Sequence, residues 1–151
     1  MFDKEFVFTG KHADYVRALT TNYFADEDQK TKGVFSKNVD ILMIAPIIGV
    51  LYNKKSLKDF SETNPAKINL EQLAFRSDDL KYLLILVLFH SDPRLSIDEK
   101  IQLSFKDTYN SEKKEMIAEI FNSFLFGGIE YLYESIIKGG KSFDEIINNF
   151  Q

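Results

Sequence analysis

Asn38-Val-Asp-Ile-Leu-Met-Ile-Ala-Pro-Ile-Ile-Gly-Val-Leu-Tyr52 carries a single charge in fifteen residues, so this stretch cannot lie on a protein surface. The rest of the chain must bury it. Its length points to a helix, because strands run to about 4–8 residues and longer apolar runs are helical. Asn38 is placed to cap that helix. Asp40 falls in the first turn, where the positive end of the helix dipole tolerates a carboxylate, and a functional role for it would require Arg17 or Lys37 opposite. Pro46 removes a backbone donor and predicts a kink. Gly49 leaves a bare spot where a second backbone can approach closely. Lys54, Lys55 and Lys58 follow and suit the negative end of the dipole.

Toward the amino terminus, Phe6-Val-Phe8 reads as a short strand and Thr9-Gly10 as a helix start. Helix one is expected over roughly 11–24, with His12, Val16, Leu19 and Tyr23 on its inner face. His12 reads there as a hydrogen-bonded interior or boundary residue. Residues 25–33 contain no large apolar side chain and are expected to form a mobile loop. Toward the carboxyl terminus, 61–69 is a connector, and Leu70, Leu73 and Phe75 are expected to return to the core. Ser77-Asp78-Asp79 opens a helix that is apolar nearly all round and ends near His90. Ser96 and Glu99 have capping-box spacing before a helix over 97–109, and Ser142 and Glu145 repeat it before a short last helix. Between them lies the longest helix, 112–138, in which Gly127-Gly128 marks a kink or a close crossing. The expected architecture is all-α with room for a short amino-terminal strand: a compact single domain, residues 1–151, of five or six helices around a kinked buried central one.

The 151 residues include no Cys, which excludes disulfides, thiolate metal sites and thiol nucleophiles. Two His without ligand spacing give no metal centre, and no Gly-rich phosphate loop or nucleophile elbow is present. No cofactor is expected. The longest uncharged runs, 41–52 and 82–91, fall short of the ~20 residues that span a bilayer. Together with a charged amino terminus unlike a secretory leader, this predicts a cytoplasmic protein without a membrane anchor.

Net charge is −4, split as +1 over residues 1–60 and −5 over 61–151, which argues against a general nucleic-acid binder. Two local surfaces remain. Lys11, Arg17, Lys37, Lys54, Lys55 and Lys58 could meet phosphates or a protein partner if they share a face. Asp98, Glu99, Asp107, Glu112, Glu115 and Glu119 could meet a basic partner. Phe-rich helices with a Gly-Gly pair could also self-associate as a homo-oligomer.

Two blocks carry a family resemblance: Val34-Phe-Ser-Lys-Asn-Val-Asp-Ile-Leu-Met-Ile-Ala-Pro-Ile-Ile-Gly-Val-Leu-Tyr-Asn-Lys-Lys55 and Ile120-Phe-Asn-Ser-Phe-Leu-Phe-Gly-Gly-Ile-Glu-Tyr-Leu132. They resemble small proteins encoded beside bacterial DNA phosphorothioation (Dnd) modification and restriction genes. Phe35, Asp40, Ala45, Gly49, Lys54, Ile120, Phe121, Gly127, Gly128 and Glu130 fall in matching order. The resemblance implies an accessory protein of a DNA-modification or phage-defence system, with a larger protein, DNA, or both as partner. It supplies no catalytic residue, and with the missing motifs above it suggests a non-enzymatic role. Small DNA binding through the basic first part of the chain is the alternative.

Overall fold

A computed structural model of the chain describes residues 2–20, 33–91, 93, 95–105 and 111–149. The expected loop at 25–33, except Gly33, and Asp107 lie outside the described residues. The elements are β1 (Phe6–Phe8), α1 (Gly10–Thr20), α2 (Asn38–Leu51), β2 (Ala66–Ile68), α3 (Leu70–Phe75), α4 (Ser77–Ser91), α5 (Ile97–Phe105), α6 (Ser111–Leu132) and α7 (Phe143–Asn148). A π-helical stretch, Tyr133–Lys138, continues α6. The protein is therefore mostly α-helical, with seven α-helices among the described residues instead of five or six.

The apolar stretch forms α2, which packs chiefly along α6. Ile41, Leu42, Ala45 and Ile48 of α2 and Phe121, Leu125, Ile129 and Leu132 of α6 are all fully buried. The two backbones touch. A side chain at Gly49 would meet the Phe124 carbonyl, and one at Gly128 would meet the Ala45 carbonyl. α6 runs unbroken through Gly127-Gly128, and the pair marks a close crossing of backbones. α2 likewise continues through Pro46, which is buried.

Several local expectations are corrected. Lys37, not Asn38, is the N-cap of α2; its backbone N–H donates to the Asp40 carboxylate at 3.0 Å, so Asp40 caps the helix start. Asn38 is the first helical residue, and its Nδ2 donates to the Lys67 carbonyl at 3.0 Å. That bond ties α2 to β2, a three-residue strand inside the expected connector. β2 pairs antiparallel with β1 in the register Phe6↔Ile68 and Phe8↔Ala66, which buries Phe8, Ala66 and Ile68.

Of the three apolar residues expected to return to the core, only Leu73 does; Leu70 and Phe75 are exposed. α4 buries Leu80, Leu83, Val87 and Leu88 but leaves Tyr82 and Leu86 in solvent, so its all-round apolarity does not mean all-round burial. Ser96 and Glu99 exchange both capping-box bonds, at 3.1 and 2.7 Å. Ser142 accepts from the Glu145 N–H at 3.2 Å. Lys54, Lys55 and Lys58 do not stand in the last turn of α2, which ends at Leu51, three residues before the first of them.

Candidate functional site

Beyond α2 the chain turns at Asn53, whose φ is +50°, and residues 54–65 cross the surface as a non-helical strap. The strap is bonded down at both ends. Lys54 N–H donates to the Gly49 carbonyl at 2.8 Å and Ser56 N–H to the Ser123 carbonyl at 3.0 Å. Gly127 lets the Lys54 carbonyl lie directly on α6, where a side chain would collide with it. At the other end Thr9 Oγ1 donates to the Asp59 carbonyl at 2.7 Å, and Thr63 Oγ1 to the Gly10 carbonyl at 3.2 Å.

Thr9 therefore does not cap α1 with its own side chain as its position suggested. Asp59 does so from the strap: its carboxylate accepts from Lys11 N–H at 2.7 Å and Ser61 N–H at 3.0 Å. An ionised oxygen at a helix start satisfies an orphan donor and meets the positive end of the dipole. The backbone bonds from Lys11 and Ser61 hold the Asp59 carboxyl at about 2. Gly10 makes the approach possible. Its φ is +59°, and any side chain there would overlap Asp59.

A second fastening lies deeper. Three donors converge on one oxygen of Glu130: Lys11 Nζ at 2.8 Å, His12 Nε2 at 2.9 Å and Ser56 Oγ at 2.5 Å. One carboxylate thus joins α1, the strap and α6. Burial pushes the Glu130 carboxyl upward, but the hydrogen bonds from Lys11, Ser56 and His12 outweigh it and leave it below the ordinary value. The bond to Glu130 raises Lys11 correspondingly.

An ionised carboxylate can only accept, so His12 Nε2 carries the proton. His12 is fully buried, stacks on Phe126 at 4.6 Å between ring centres, and has no partner for Nδ1. A second proton would therefore enter a site that offers it no acceptor. Burial lowers His12 below its ordinary value, and the imidazole stays neutral.

Between the strap and α6 opens a cleft of about 870 Å³, floored by Met116, Ile120, Phe124 and Phe126. Phe126 separates this floor from His12. Leu57 and Phe60 stand at the cleft 82% and 81% exposed, although the strap that carries them is held by hydrogen bonds. Lys55 lies over the Phe124 ring at 4.9 Å and Lys58 over the Phe60 ring at 5.3 Å; beside them Lys54 lies over Tyr131 at 5.9 Å. Asn122 lines the same cleft, and its Oδ1 is buried without a donor.

The six basic candidates thus separate. Lys54, Lys55 and Lys58 are brought together on the strap. Lys11 is held by Glu130, and Arg17 bonds Asp14 at 2.6 Å and the Asn64 carbonyl at 2.5 Å. Lys37 borders a different depression, of about 370 Å³, with Asp40 and Phe75. Among the described residues, the hydrogen-bond partner of the Asp40 carboxylate is the Lys37 backbone N–H. His90 is exposed in the last turn of α4. Among the described residues no group of three His, Asp or Glu is gathered as a metal site would need, and no helix is long and apolar enough to cross a membrane.

Sequence reasoning missed Leu57, Phe60 and the joining role of Glu130. Leu57 and Phe60 did leave a trace, as isolated apolar residues among Lys, Ser and Asp just past a helix end. The partners of Glu130 lie 74 residues away or more, beyond any local spacing.

The family described as DNA sulphur modification system-associated protein 4 matches the chain over residues 10–150. No curated protein and no solved structure matches it.

Proposed function

This chain belongs to the DNA sulphur modification system-associated protein 4 family, and from that premise we propose that it is a non-enzymatic accessory protein that docks a protein component of a bacterial DNA phosphorothioation and phage-defence system. The cleft beneath the strap is the docking surface. The observation that carries this reading is the contrast between a bonded strap and its two outward apolar residues, Leu57 and Phe60. Exposing two large apolar side chains beside an apolar cleft is costly in water unless something covers them. The polar cluster of His12, Lys11, Ser56 and Glu130 is spent on holding the strap, which supports a binding role over a chemical one.

Co-expression of the tagged chain with the products of neighbouring DNA sulphur modification genes tests this. A complex that survives size-exclusion chromatography with the wild-type chain and is lost with Leu57→Asp/Phe60→Asp is expected. A double variant that keeps the complex, or a wild-type chain that elutes alone with every component, overturns it.

The grouping of Lys54, Lys55 and Lys58 beside the exposed Phe60 ring favours DNA as a second reading. It requires a steep salt dependence. A mobility shift on plain or phosphorothioated duplexes at low salt, abolished by reversing the three lysines, is its expected result; no shift at low salt removes it.

A further inference from the structure

The chemistry of the cleft narrows what can occupy it. Its floor is aromatic and aliphatic, so the occupant must bring apolar side chains. Its charged lining is unbalanced, with Lys55 and Lys58 against Glu119 alone. Lys11, Lys67 and Lys138 each reach a carboxylate of the chain itself, at 2.8, 3.4 and 3.1 Å. Among the described residues no carboxylate lies within ion-pair distance of Lys54, Lys55 or Lys58, which rest on aromatic rings instead. A cation over a ring keeps its outer face free for an anion.

The strap itself is a ready wall: Ser56, whose hydroxyl is fixed by Glu130, lines the cleft between Lys55 and Leu57.

Building on the protein-docking reading above, we infer that the cleft receives an acidic amphipathic segment of the partner. Its apolar side chains cover Phe124, Leu57 and Phe60, and its Asp or Glu carboxylates meet Lys55 and Lys58. Attraction between unlike charges then sets which partner is accepted, while the apolar floor supplies most of the affinity.

Fluorescence anisotropy with two labelled synthetic peptides tests this on the full chain. Both are amphipathic, about 18 residues long, with Leu and Phe at i, i+4 and i+7; one carries Glu at its polar positions and the other Lys. The acidic peptide is expected to bind, to weaken at least about tenfold with Lys55→Glu/Lys58→Glu, and to weaken similarly with Leu57→Ala/Phe60→Ala. All four positions are exposed or at the cleft rim, and far-UV circular dichroism verifies that each variant is folded. The Lys-bearing peptide is expected not to bind the wild type and to gain binding on the charge-reversed variant.

Equal binding of both peptides, or no loss on charge reversal, overturns the acidic character while leaving apolar docking intact. Failure of both peptides overturns the inference outright, and the co-expression experiment then judges the docking reading separately. Tighter binding of a single-stranded oligonucleotide than of the acidic peptide, lost on the same lysine reversals, assigns the cleft to nucleic acid and also overturns it.

Discussion

At the scale of single residues, Glu130 holds more of the site together than any other side chain. Removing its charge in Glu130→Gln weakens three bonds at once and leaves the buried His12 proton with a poorer acceptor. A loss of about 2 kcal/mol in urea-unfolding stability is expected, within the range for hydrogen bonds to charged groups. His12 adds a pH signature. Its folded value is depressed by burial, so the unfolded chain binds the proton more readily, and stability is full above the ordinary value of 6.5. It declines as pH falls from there toward the depressed folded value. His12→Gln, which keeps a donor near the Nε2 position, should flatten the change in unfolding midpoint between about pH 7.5 and 5.5. Asp59 acts in a separate window: its contribution is present above its ordinary 3.8 and is lost as pH falls through about 2.

At the scale of elements, the crossing of α2 and α6 is the tightest contact described, since Gly49 and Gly128 bring backbone onto backbone. Gly128→Ala must push its methyl into the Ala45 carbonyl and should cost about 3 kcal/mol, the upper end of overpacking effects. Gly140→Ala is the contrast. Nothing lies within 4 Å there and only φ of +67° resists, so about 1 kcal/mol is expected. Denaturant titrations of the two variants compare them directly. This crossing was legible in the sequence, because a near-uncharged fifteen-residue run and a Gly-Gly pair both report on burial. The strap was not. Its shape depends on Asp59 meeting Lys11, 48 residues away, and such long-range bonds leave no periodic pattern. Leu70 and Phe75 were misread for a related reason: a local apolar pattern shows what would benefit from cover, not whether another element provides it. β2 escaped notice because Ala-Lys-Ile is too short to show alternation.

At the scale of the whole molecule, the acidic excess of residues 61–151 and the three grouped lysines of the strap give a protein of net charge −4 with a local basic rim around an apolar cleft. That combination suits a selective protein surface better than a general polyanion binder. Because Leu57 and Phe60 contribute little to the folded core, Leu57→Asp/Phe60→Asp should leave thermal and urea stability within about 0.5 kcal/mol of wild type while removing partner binding. The candidate cleft is legible in part: charge marks Lys54, Lys55 and Lys58 in the sequence, but nothing local marks their apolar companions as exposed, since exposure at a strap is decided by tertiary fastening. Hydrogen exchange on the co-expressed complex tests the central claim most directly. Protection on binding confined to residues 53–60 and the facing part of α6 near 116–126 is the expected result; unchanged exchange there, with protection on the outer face of α4 or at Lys37 and Phe75, would contradict it.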